Sequence, residues 1–116
     1  MQTTRQLGAE AETRAAAHLE ELGYRIVARN VTVKGGELDL VAVERGVLCF
    51  VEVRARKDGS FGAAEETVGP TKRRRLAHAA QLFLMRWRDP TMPCRFDVVA
   101  VDPRGIRLIR NAFEVD

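Results

Sequence analysis

The chain has 116 residues, 46% hydrophobic and 30% charged, which suits one globular domain over residues 1–116 with enough apolar material for a real core. A net charge of +3 and a sequence pI of about 9.3 are compatible with a polyanionic partner without demanding one. Cys49 and Cys94 form no C-x-x-C unit, the first residues carry no apolar signal region, and no stretch is long enough to span a membrane; these features argue against a zinc site, a disulfide framework and a membrane partner, and the expected setting is cytoplasmic.

From about Thr3 to Leu22 the chain is rich in Ala, Glu, Leu and Arg, which favour helix. Leu7, Ala11, Ala15, His18 and Leu22 recur at helical spacing as an apolar stripe, and Gly23 stops the helix. Tyr24 to Asn30 reads as a first strand, and Gly35-Gly36 as a turn. Leu38 to Val43 and Val47 to Val51 are two stronger strands joined by the tight turn Arg45-Gly46. The unbroken apolar run Val47-Leu48-Cys49-Phe50-Val51 suits a strand buried on both faces, with Cys49 a small buried hydrophobe. Lys57 to Gly69 reads as a loop. A second helix begins at Pro70 or Thr71, presents Leu76, Ala79, Ala80, Phe83, Leu84 and Trp87 to the core, and ends at Pro90 and Pro93. A fourth strand runs through Phe96, Val98 and Ala100, and Asp102-Pro103-Arg104-Gly105 turns the chain into a fifth from Ile106 to Ile109. The expected fold class is therefore α/β in the order α-β-β-β-α-β-β: an antiparallel meander of three strands, then a helical crossover that makes the third and fourth strands parallel neighbours.

The hairpin brings two acids together. With Arg45 and Gly46 as turn residues, paired numbers sum to 91, which sets Asp39 opposite Glu52 and Glu37 opposite Arg54. Directly opposed residues share a face with Cβ atoms about 5 Å apart. Facing carboxylates repel, so they need a shared proton or a divalent cation; Mg²⁺ and Mn²⁺ take oxygen ligands and often need only one or two carboxylates. Glu52 continues the most apolar strand, between Val51 and Val53, where a carboxylate is rare without a partner. A salt bridge to Arg54 or Arg56 would also account for it; the metal reading is preferred because Asp39 arrives independently at the same place. On the first helix Glu12 shares a flank with Gly8, Ala16 and Leu19. Spacing alone favours an ordinary rim carboxylate there. Asp97 beside Arg95 reads as structural, paired with a basic residue; His18, His78 and Trp87 read as core or boundary side chains.

Gly8-x3-Glu12, Gly36-Glu37-Leu38-Asp39-Leu40, Phe50-Val51-Glu52-Val53-Arg54-Ala55-Arg56, Lys72 and Arg95-Phe96-Asp97-Val98-Val99, taken together and in order, closely resemble the bacterial YraN-like family. That family is similar in fold to archaeal Holliday-junction resolvases and is grouped with the PD-(D/E)XK nucleases. The resemblance implies a restriction-endonuclease-like mixed sheet with flanking helices. It implies that Asp39 and Glu52 are the metal-binding acids, holding Mg²⁺ or Mn²⁺, and that Glu12 is the first-helix acid of the resolvase branch. The motif's lysine falls at Arg54.

Arginine stays charged and cannot serve as a base, but it can grip a phosphate through two parallel hydrogen bonds. A base would then come from water on the metal or from a lysine elsewhere, Lys34 or Lys72, although an ordinary surface lysine is the simpler reading of each. Arg56, Lys72, Arg73, Arg74 and Arg75 are expected to contact nucleic-acid backbone, giving salt-dependent affinity without sequence readout. The leading expectation is a metal-dependent endonuclease or resolvase-like enzyme acting on structured DNA, for which a homodimer would be the natural assembly. A nucleic-acid-binding module that keeps the fold without turnover, and an interaction protein that uses the fold as a scaffold, are the alternatives.

Overall fold

The computed structural model describes residues 4–56 and 68–114, except for the side chains of Thr4, Arg5 and Leu7. Its elements follow the expected order: α1 (Thr4–Glu21), β1 (Arg25–Val33), β2 (Gly36–Glu44), β3 (Val47–Ala55), α2 (Pro70–Leu84), β4 (Cys94–Asp102) and β5 (Gly105–Phe113). The described strands form one five-stranded sheet in the order β1-β2-β3-β4-β5. All neighbours are antiparallel except β3 and β4, which are parallel, as a helical crossover between them requires. The strands run several residues past the expected limits, because polar side chains that read as strand ends are carried on exposed or paired backbone.

The β2–β3 hairpin turns at Arg45 and Gly46, with φ of 50° and 79°. Two successive positive φ values are what a two-residue hairpin needs to match strand twist, and glycine adopts one of them without steric cost. Pairing runs outward from Glu44↔Val47 to Leu40↔Val51, in the expected register.

The helices cover opposite faces. Ala11, Ala15, Ala16 and Leu19 of α1 pack with Leu40, Ala42, Cys49, Val51, Val99 and Val101. Leu76, Ala79 and Ala80 of α2 pack with Val41, Leu48, Phe50, Val98 and Ala100. Each fully buried Leu or Val contributes about 1.5–3 kcal/mol to this two-sided core. α2 lies close on β2: a Cβ at Gly36 would come within 3.4 Å of both the Ala79 Cβ and the Arg75 carbonyl oxygen.

Four expectations are corrected. The α1 stripe turns toward Ala16 and Leu19, leaving His18 half-buried and Leu22 45% exposed; Leu7, expected on that stripe, lies outside the described side chains. Leu22 lies one residue beyond the end of α1. The first turn uses Lys34 and Gly35, since Gly36 already belongs to β2. α2 ends at Leu84, before the prolines, where the Met85 N–H bonds back to the Gln81 carbonyl and the backbone then tightens, with Arg86 and Trp87 N–H groups reaching the Phe83 and Leu84 carbonyls. The pairing of β2 with β3 also ends at Leu40↔Val51, short of the acids expected to face each other. Of the expected loop Lys57 to Gly69, all but Val68 and Gly69 lies outside the described residues.

Candidate functional site

The expected Asp39↔Glu52 and Glu37↔Arg54 ladder pairs are absent, because regular β2–β3 pairing stops at Leu40↔Val51. The β1–β2 ladder keeps its register from Arg29↔Leu40 to Val31↔Leu38 but passes over Asn30 and Asp39, and Asn30 has a positive φ of 49°. Side-chain alternation lapses at the same place. Leu40 and Ala42 pack under α1, whereas Leu38 packs under α2, although alternation along one strand would put all three on one face. Strand β3 meanwhile stays paired with β4 as far as Ala55↔Val101. Beyond Val51, β2 no longer supplies ladder partners to β3, and the Val53 N–H is taken instead by the Asp39 carboxylate, Oδ2 accepting at 2.9 Å. The carboxylates still meet: Asp39 and Glu52 interact directly, through a lapse in the pairing of β2 and β3 rather than through a ladder rung.

The electrostatics are those of crowded negative charge. Burial first, and then the neighbouring Glu52 carboxylate, push Asp39 up to about 7; the Val53 N–H and the Lys72 ammonium act the other way. Glu52 is 6% exposed. Its Oε1 lies 2.8 Å from Lys72 Nζ and 3.8 Å from a guanidinium nitrogen of Arg54. The simple salt bridge expected for Glu52 thus exists, but its short arm comes from Lys72 on α2, with Arg54 farther away. Burial, followed by repulsion from Asp39 and Glu37, also raises Glu12 above the usual carboxylate range, while the Asn30 side chain hydrogen-bonds it. Glu12 therefore belongs to the same field, approaching Asp39 from the α1 side.

Asp39, Glu52, Lys72 and Arg75 line a cleft of about 430 Å³, walled by Thr32, Gly35, Gly36, Glu37 and Leu76. A larger groove of about 660 Å³ shares Thr32 with it, but Val31, Val33, Leu82, Phe83 and Met85 make it mostly apolar and it contains no acid. Lys34 lines that groove rather than the acidic cleft. Chemistry points to the smaller one.

The basic run on α2 divides. Lys72 faces Glu52 and Arg75 lines the cleft, whereas the Arg73 Nε donates to the Val68 carbonyl at 2.6 Å and its guanidinium lies 5.0 Å from the Phe113 ring centre. Arg73 is thereby drawn toward the core. Arg74 is exposed and hydrogen-bonds Thr71. Arg56 is half-buried at the end of β3, its N–H bonded to the Val101 carbonyl.

Sequence reasoning missed a second charged cluster. Glu44, 6% exposed, accepts from both Arg95 and Arg110; Asp97, fully buried, accepts from Arg95, from the Tyr24 hydroxyl at 2.8 Å and from the Asn111 N–H at 2.8 Å. Asp97 is thus structural and paired with Arg95, as expected. The signal that could have disclosed Glu44 is its place beside a two-residue turn, at the end of the apolar run Leu40 to Val43.

Among the described residues no three His, Cys, Asp or Glu side chains converge as a metal cluster. Asp39 and Glu52 are the two hard oxygen donors that do converge. That donor set, which already draws a lysine ammonium, fits Mg²⁺ or Mn²⁺, which complete their shells with water and phosphate oxygens. It does not suit a soft-ligand metal. No helix among the described residues is long and apolar enough to cross a membrane.

The profile of a family described as "Uncharacterised protein family UPF0102" matches residues 11–101, which include both acids, Arg54 and the whole of α2. A UPF0102 protein of Burkholderia thailandensis is 52% identical over 113 residues, 97% of this chain and 78% of that protein. One from Symbiobacterium thermophilum is 47% identical over 115 residues, 95% and 98% of the two chains, and one from Dechloromonas aromatica is 45% identical over 114 residues, 98% and 93%.

Proposed function

The chain belongs to the UPF0102 family, and from the cleft its strands build we propose that it is a metal-dependent endonuclease of the PD-(D/E)XK, restriction-endonuclease-like kind, hydrolysing phosphodiester bonds in structured DNA in the cytoplasm. The observation that carries this reading is the Asp39–Glu52 pair, a half-buried carboxylate set against a buried one where regular β2–β3 pairing has stopped. A fold gains no stability from desolvating two like charges. Holding a cation at a phosphate is a function that such an arrangement serves.

Mg²⁺ or Mn²⁺, held by Asp39 and Glu52, would polarise the phosphate and make a water molecule more acidic. The protein's own groups do the rest. The Val53 N–H fixes the Asp39 carboxylate at 2.9 Å. Arg54, on the same strand two residues beyond Glu52, would grip a non-bridging phosphate oxygen and stabilise charge as the water oxygen bonds to phosphorus, giving its proton to solvent, and the bond to the leaving sugar oxygen breaks, that oxygen taking a proton from solvent. Glu12 and Glu37 keep the field negative, which favours a divalent cation. Arg56, Arg74 and Arg75 would follow the DNA backbone, with two copies acting together on a four-way junction. Arg73, turned toward Val68 and Phe113, contributes less.

The Lys72–Glu52 ion pair favours a second reading, a nucleic-acid-binding module, since it partly neutralises the acids without metal. One experiment separates the two. Labelled duplex, single-stranded, flap and four-way-junction DNA would be incubated with Mg²⁺ or Mn²⁺, with Asp39→Ala as control. Metal-dependent cutting lost in the variant is the expected result. Binding to the same panel without cutting under any condition would leave the module.

A further inference from the structure

We propose, building on the nuclease reading above, that Lys72 is the protein's own stand-in for the divalent cation: its ammonium holds the carboxylate pair together, gives up Glu52 when the metal arrives, and is thereby released toward the phosphate. The contact is direct, with Lys72 Nζ 2.8 Å from Glu52 Oε1, whereas Arg54 stands at 3.8 Å. It is also placed by the fold. Lys72 lies in the first turn of α2, and α2 is set close on β2 at Gly36, where its Arg75 carbonyl would leave a Cβ only 3.4 Å.

The two ends of the contact differ in a way that suits displacement. The Glu52 side chain is 6% exposed and fixed on an inner strand, while that of Lys72 is 43% exposed. A lysine ammonium is a compact point charge on a flexible stem, so it can leave one oxygen and find another within the same cleft at little cost. A cation held by Glu52 and the ammonium 2.8 Å from its Oε1 would repel one another, and the exposed, flexible lysine is the one that can move. Asp39, anchored on the Val53 N–H, stays in place. Two consequences follow. Lys72 lowers the affinity of the empty cleft for divalent cations, and metal binding brings a positive charge to the position of the substrate phosphate in the same step.

The test is Mn²⁺ binding by calorimetry on the full chain without nucleic acid, comparing wild type with Lys72→Gln and Lys72→Arg. Gln and Arg are both good helix formers, so α2 is kept in both variants. Lys72→Gln should bind Mn²⁺ roughly tenfold more tightly, the size expected when one close charge is removed from beside a carboxylate. Lys72→Arg should stay near wild type. In cleavage assays Lys72→Gln should be slower despite its fuller metal site, an opposition that a purely structural lysine would not produce. Unchanged or weaker Mn²⁺ binding by Lys72→Gln overturns the proposal. Tighter binding by Lys72→Gln, where wild type itself cuts no DNA, upholds the stand-in role and overturns the nuclease. Absence of Mn²⁺ uptake by all three proteins overturns both.

Discussion

Asp39 accepts the backbone N–H of Val53 at 2.9 Å, so a side chain of β2 supplies what the missing β2 backbone would have given β3. This bond ties β2 to β3 past the last ladder pair and holds a carboxylate in a half-buried place beside Glu52.

Asp39→Asn should be stabilised at alkaline pH and not at acidic pH. The amide oxygen can still accept from Val53, but the buried charge is gone. Asp39 titrates near 7 in the fold against an ordinary 3.8, so its favourable, protonated contribution is full below about pH 4 and is lost as pH rises through about 7. Urea unfolding should show the variant ahead by about 1–3 kcal/mol at pH 8 and level with wild type at pH 4. A constant difference across that range would mean that burial of the charge costs nothing.

Divalent metal should reverse that order. With Mn²⁺ well above its dissociation constant, wild type should melt roughly 5 °C or more higher than in chelator, because a ligand bound only by the folded state adds to its stability. Asp39→Asn should show no such rise. Equal shifts in both proteins would place the metal elsewhere.

Glu44 should govern acid stability. Hydrogen bonds from Arg110, and then from Arg95, hold its carboxyl down at about 2. Its contribution is therefore present above the ordinary value of 4.5 and is lost as pH falls from there through about 2. Glu44→Gln should cost about 2 kcal/mol at pH 7, with the gap to wild type narrowing in denaturant titrations at pH 3. The same substitution should leave Mn²⁺ binding unchanged, since this cluster lines no part of the acidic cleft.

Neighbouring arginines on α2 should behave differently. Arg73→Ala removes a donor to the Val68 carbonyl and a cation from the Phe113 ring, and should lower stability by about 1–2 kcal/mol. Arg75→Ala should leave stability nearly unchanged and weaken DNA binding, with the slope of log affinity against log salt reduced by about 1. Filter binding over a salt series, paired with thermal melts, distinguishes the two. A common effect of both substitutions would argue that the run acts as one solvated face.

Much of the architecture was legible in the sequence because local rules decide it. Periodicity and turn chemistry specify the element order, the Arg45-Gly46 hairpin, its register from Glu44↔Val47 to Leu40↔Val51, and the parallel β3–β4 pair. The two acids could be brought together on the same grounds. What sequence could not supply is the point at which pairing ends. At that point the β1–β2 ladder also passes over Asn30 and Asp39, and Leu38 packs on the α2 side, neither of which local spacing records. Leu22 keeps to helical spacing yet stays exposed, since only contact with the sheet decides which part of a stripe is covered. The sequence places Lys72-Arg73-Arg74-Arg75 side by side, but about 100° of helical rotation per residue sends them to different surroundings: Lys72 to Glu52, Arg73 to Val68 and Phe113, and Arg75 to the cleft. Glu44 and Arg110, 66 residues apart, carry no local signal of each other. The sequence by itself determined which charges the protein has and on which elements they ride; tertiary packing decided which of them meet, because attraction between charges is set by distance in space and by exclusion of water, neither of which spacing along the chain records.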